Sequence, residues 1–138
     1  MAYENTSVPV PRSQEKIRKL ILSHGGTGIA FVSQPPKEGF ESQVILEGKV
    51  YHVRIVAVCA TQVNTKKQEQ EERRVWRVLY HHIKAIYEAS NTGVLEFREM
   101  MMPYIVTSSG KTIADHILPN LHKAVDGYSM KLLTGKDD

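Results

Sequence analysis

The sequence predicts a single α+β domain: an N-terminal helix, a three-stranded antiparallel sheet, a long amphipathic helix packed on it, and a short C-terminal helical unit. Three observations predict it. Three β-type runs, GIAFVS, QVILE and VYHVRIVAV, follow one another with turn residues between them. From Thr65 to Ser90 the apolar residues keep a helical period over about seven turns. The 138 residues match one ordinary domain of ~100–150 residues, large enough to bury a core without a disulfide or metal.

Residues 1–12, MAYENTSVPVPR, read as an extended arm, 13–126 as the domain and 127–138 as a flexible tail. Ser13 is placed to cap the first helix, with Ile17, Leu20 and Ile21 on one face and Lys16, Arg18 and Lys19 on the other; Gly25-Gly26 stops it. The first strand runs from Gly28 to Ser33 and ends at Pro35-Pro36. Gln43–Glu47 and Val50–Val58 read as a hairpin turning on Gly48-Lys49. In its second strand Tyr51, Val53, Ile55 and Ala57 share one face, and His52, Arg54, Val56 and Val58 the other, so one side of the sheet is covered and the other partly open.

Thr65 followed by Gln68 suggests a capping box for the long helix. At 100° per residue, Val75, Trp76, Leu79, Tyr80, Ile83, Ile86 and Tyr87 form its inner arc; Arg73, Arg77, His81, Lys84 and Glu88 lie opposite, with Arg74 at the edge. LEFREMMM forms a short helix ended by Pro103, its methionines filling core. Ile105-Val106 is extended. Thr112 and Asp115 open a last helix with Ile113, Ile117, Leu121 and Val125 inward, which Pro119 breaks or kinks.

Composition narrows function less than it narrows fold. A net charge of +3 and a pI near 9.0 are mildly basic, which permits a nucleic-acid partner without requiring one. The lone Cys59 ends an apolar run and reads as a small core residue; Asn5-Thr6-Ser7 is a chance glycosylation pattern. No signal-type segment and no apolar run near ~18 residues is present, so a cytoplasmic protein without a membrane partner is expected.

The motif that most resembles chemistry is VTSSGKTIADHI, whose Gly110-Lys111-Thr112 matches the end of a phosphate-binding loop. That loop needs a further glycine where Ile105 stands, and a buried strand before it, so the segment reads as a turn. The histidines lack ligand spacing: His81 and His82 point ~100° apart, Pro119 separates His116 from His122, and His24 and His52 stand alone. Cys59 has no visible base. Glu69, Glu71 and Glu72 suit a solvated first turn. No catalytic residue, metal ligand or cofactor is therefore assigned.

What remains is the basic stripe: Arg73, Arg77 and Lys84, with Arg74 beside it and Lys66-Lys67 just ahead. Cations at helical spacing can follow a phosphate backbone, although an amphipathic helix also needs a charged outer face for solubility alone. Three strands between two helices share the element order of double-stranded RNA-binding domains, but the Lys-Lys-x-Ala-Lys clamp of that module is absent, since acidic residues follow Lys66-Lys67.

The stretches PRSQEKIRKLILSHGGTGIAFV, VYHVRI, VWRVLYHHIKAIYEA, TGVLEF and IVTSSGKTIADHI together resemble a group of small uncharacterised proteins of bacteriophages and prophages, over about residues 11–126. The resemblance implies a turn at Gly110, a host-cytoplasm setting, and no catalytic residue to carry over. The sequence thus leads to an expectation of a non-enzymatic, phage-type accessory protein that binds nucleic acid through the basic helix side. The alternative is an oligomeric interaction protein that sequesters a host factor or a small molecule. An enzyme is the third reading; it requires His52, His116 or His122 to converge with a carboxylate.

Overall fold

The computed structural model describes residues 3–34 and 36–129. Helix α1 (Val10–Ser23) leads into strands β1 (Thr27–Gln34), β2 (Lys37–Leu46) and β3 (Lys49–Val58), followed by the long helix α2 (Thr65–Asn91). Short α3 (Phe97–Met101), α4 (Ile113–Ile117) and α5 (Leu121–Val125) complete the chain, with 3-10 turns at Met102–Tyr104 and Leu118–Asn120. The strands pair antiparallel in the order β1-β2-β3. The α+β class expected from the sequence is the fold observed.

Alternation drives the layering. Phe40, Ser42, Val44 and Leu46 of β2 point to the same side as Val53 and Ile55 of β3, and all are buried. Helices α1 and α2 lie against each other and close that face with Ile17, Ile21, Trp76, Leu79 and Ile83. Trp76 meets Phe31 of β1 edge-to-face, with ring centroids 5.6 Å apart. On the opposite face Ile45, Val50, Val56 and Val58 remain exposed, as does His52, while Arg54 is half-buried.

Several boundaries differ from expectation, each for a local reason. Helix α1 begins at Val10 rather than Ser13, because Pro11 fits the first turn, where its missing N–H is not needed. Strand β2 starts at Lys37, six residues early: Glu38, Gly39, Glu41 and Ser42 look unlike a strand, yet they pair in register with Ala57, Val56, Arg54 and Val53. The hairpin turns on Glu47-Gly48 rather than Gly48-Lys49; both residues have positive φ (50° and 78°), which suits a type I′ turn. The α2 cap is Asn64, whose side chain accepts from the Lys67 amide at 2.8 Å, while Gln68 accepts from the Gln62 amide instead.

The C-terminal unit departs most. The Thr112–Asp115 capping box is present, and the helix splits in two at the 3-10 turn containing Pro119. However, Ile117, Leu121 and Val125, expected inward, are exposed, and Ile113 is half-buried, because α4 packs chiefly on the turn at Met102–Tyr104 and α5 on the turn at Leu118–Asn120. Among the methionines, Met101 is fully buried, whereas Met102 is half exposed. The tail assigned from residue 127 lies outside the described residues from position 130 onward.

One position tests the register. A Cβ on Gly39 would sit 2.2 Å from the Ile55 carbonyl oxygen and 2.8 Å from the Val56 Cα, both backbone atoms of the neighbouring strand. Gly39→Ala is expected to destabilise the fold by about 3 kcal/mol. Gly48→Ala, in open space at φ 78°, should cost only about 1 kcal/mol. Denaturant midpoints of the two variants check this, and equal losses would contradict the close strand contact.

Candidate nucleic-acid interface

Every candidate cation on α2 is positioned by the roll of that helix. With Trp76 facing the sheet, Lys66, Arg73, Arg77 and Lys84 fall within a narrow arc at 100° per residue. The structure gathers Lys66, Lys67 and Arg73 around one depression of about 470 Å³, with Asn5, Asn64 and Gln70 completing its lining and no carboxylate among these residues. It opens beside the first turn of a 27-residue helix, where free amides add partial positive charge.

A neutral side chain organises this depression. The Gln70 Oε1 accepts from the Arg73 Nε at 3.2 Å and from its Nη2 at 2.6 Å, so the guanidinium is held without loss of charge. The Gln70 Nε2 donates to the carbonyls of Glu4 and Thr6, each at 2.9 Å, and pins the N-terminal arm across α2. Farther along, Tyr3 stacks on His81 at 4.8 Å. Asn5, Asn64 and Gln70 were not legible as site residues, because their roles come from this crossing of arm and helix.

Two cations of the stripe do not behave as expected. Arg77, assigned to the outer face, is only 6% exposed. Helix α1 flanks α2 and the arm crosses it at Gln70 and His81, so the side opposite the sheet is partly covered. The Arg77 guanidinium carbon lies 5.1 Å from the Tyr80 ring centroid, and its Nε has no hydrogen-bond partner among the described residues. Arg74 is clasped by Glu71 at 2.5 and 3.1 Å; this pair lowers the Glu71 pKa and raises that of Arg74. Its charge is thereby cancelled. Lys84 sits 3.7 Å from Glu88 with side chains 41% and 66% exposed, an arrangement that restrains a lysine weakly. Lys66 and Lys67 are exposed and have no ion-pair partner among the described residues.

The other chemical candidates resolve into structural roles. Gly110-Lys111-Thr112 closes a small hairpin, with Val106 bridged to Thr112 and the Gly110 amide donating to the Thr107 carbonyl at 2.9 Å, so that amide is already used within the turn. Arg54 binds both Glu41 and the Gly110 carbonyl, tying this turn to the sheet. His52 does approach a carboxylate, Glu41, at 3.5 Å. Hydrogen bonding to Arg54 nevertheless holds the Glu41 pKa below its ordinary value, which makes it a poor proton acceptor. His116 contacts the hydroxyls of Thr107 and Ser109 at 2.9 and 3.0 Å on an exposed turn, and His122 is exposed on α5. Cys59 is buried, and burial raises its thiol pKa, the opposite of activation.

Burial, reinforced by the charges of Arg77, Lys84 and Lys16, lowers the His81 pKa below its ordinary value of 6.5. Below about pH 6.5 the unfolded chain takes up a proton that the folded protein resists, so stability is full above that pH and falls as pH drops through it. The lowered pKa values of Glu41 and Glu71 act only below about 4.5. Denaturant midpoints between pH 7.5 and 5 should therefore fall more steeply for the wild type than for His81→Gln. Superimposable curves would refute this origin.

No family model, no curated protein and no solved structure matches this chain, and its function is read from its own geometry.

Proposed function

We propose that the chain is a non-enzymatic accessory protein, of the phage type its sequence resembles, that binds nucleic acid through the sugar-phosphate backbone. The observation that carries this reading is the meeting of Lys66, Lys67 and Arg73 around one concave surface whose lining residues include no carboxylate. Such a surface favours a polyanion, because each phosphate it neutralises releases condensed counterions. Arg74 is left out of the contact set because Glu71 already holds it, and Arg77 because it is buried. Lys84 stays in it. The order helix, three antiparallel strands, helix is shared with double-stranded RNA-binding domains, a likeness of topology that transfers no residue role.

Exposed Ile117, Leu118, Leu121 and Val125 favour a second reading, an oligomeric interaction protein that sequesters a host factor or small molecule. Mass under native conditions separates the two: a monomer that retains oligonucleotide supports the first.

Three neutralised phosphates imply about a 40-fold loss of duplex affinity between about 50 and 200 mM salt. Lys66→Gln/Lys67→Gln/Arg73→Gln should weaken binding at least about tenfold while leaving the thermal midpoint nearly unchanged. Gel shifts with single- and double-stranded oligonucleotides check both, and failure to retain either at low salt rules the proposal out.

A further inference from the structure

Resting on that reading, we propose a second phosphate site, built jointly by α1 and α2 around Tyr80, that makes the helical layer a two-point grip on one polynucleotide strand. Three cations converge on a single ring: Arg77 at 5.1 Å from the Tyr80 centroid, Lys16 at 5.5 Å and Lys84 at 6.0 Å. Cation–π attraction to one ring is modest and does not cancel the mutual repulsion of three charges. Lys84 has Glu88 beside it, but Lys16 and Arg77 have no carboxylate in ion-pair reach among the described residues. A buried charge is ordinarily paired, yet the Arg77 Nε finds no partner among the described residues. A phosphate reaching Lys16 and Lys84 from solvent would supply the missing negative charge, with Arg77 adding to the field from beneath. Lys16 and Lys84 are half-buried and reach solvent, and Lys16, Lys19 and Ser23 line a depression of about 320 Å³ against Tyr80 in which a phosphate can sit. The same positive field disfavours a proton on His81 nearby.

The two sites share one stripe. Lys84 follows Lys66 by eighteen positions, five full helical turns, which places them on the same side of α2 about 27 Å apart. A stacked strand, with a phosphate every ~3.4 Å, needs about eight nucleotides to touch both, and an extended one, at roughly twice that spacing, about four. The Tyr80 ring carries cations around it and is not free to stack on a base, so the grip reads phosphates and is indifferent to sequence.

A length series tests this separately from the first site. Binding of oligothymidylates of about three, twelve and twenty-four nucleotides is measured across salt for the wild type, Lys16→Gln/Lys84→Gln and Lys66→Gln/Lys67→Gln. The wild type should gain at least about tenfold in affinity between the three- and twelve-nucleotide ligands, with a salt slope steeper by about 1.4 for two further phosphates. Lys16→Gln/Lys84→Gln should abolish that step and leave the three-nucleotide affinity intact, whereas Lys66→Gln/Lys67→Gln should weaken every length. Both pairs of side chains reach solvent, so unchanged circular dichroism and thermal midpoints are expected. Wild-type binding without a length step, or a step that survives Lys16→Gln/Lys84→Gln, overturns the second site alone. Absence of binding at every length overturns both sites.

Discussion

The burial of one indole ring fixes what this protein presents to its surroundings. Trp76 is 1% exposed and wedged edge-to-face against Phe31, with Val75, Leu79 and Ile83 buried beside it. An aromatic side chain of this size buries about 150–250 Å². Rotating α2 by even a third of a turn would expose that surface and drive arginine toward the core. The roll of the helix is therefore set by apolar packing, and the positions of Lys66, Arg73, Arg77 and Lys84 follow from it without any contribution of their own. In this fold the charges are passengers of the core.

That constraint gives a modest net charge an uneven distribution. Several carboxylates are engaged in ion pairs of their own. Glu41 serves Arg54 and His52 on the open sheet face, Glu71 serves Arg74, Glu47 and Glu96 serve Arg98, and Glu15 serves Arg18. Lys16, Lys19, Lys66 and Lys67 are left on the helical layer without ion-pair partners among the described residues. A total of +3 is therefore a poor guide to the field that a ligand would meet, because opposite charges that pair locally contribute little at a distance.

The strongly periodic parts of the fold were legible in the sequence. The inner arc of α2 and the alternation of β3 each repeat a single geometric rule over many residues, and both are found as read. The first half of β2 was not legible, since Glu38 and Ser42 occupy inward positions where a strand pattern calls for apolar groups, and Gly39 carries no side chain. The apolar spacing of Ile117, Leu121 and Val125 was also visible, but spacing identifies a face without stating what covers it. Of the site, the stripe itself was readable. The burial of Arg77 was not, because a helical wheel divides a helix into an inside and an outside, while α2 has a third side that meets α1 and the arm.

Arg73 and Arg74 show how little separates a usable cation from a silent one. They are neighbours in sequence, both half-buried, and each is held by the side chain three residues earlier. The holder of Arg74 is Glu71, whose carboxylate cancels the charge it orients. The holder of Arg73 is Gln70, whose amide oxygen orients the guanidinium just as firmly, and whose NH2 group remains available to fasten the carbonyls of Glu4 and Thr6. A glutamate at position 70 would lose both properties: it would neutralise Arg73, and it would offer no donor to the arm. An amide there keeps a preorganised positive charge at the rim of the depression, which is the condition a phosphate-binding surface requires and an ordinary solvated helix face does not.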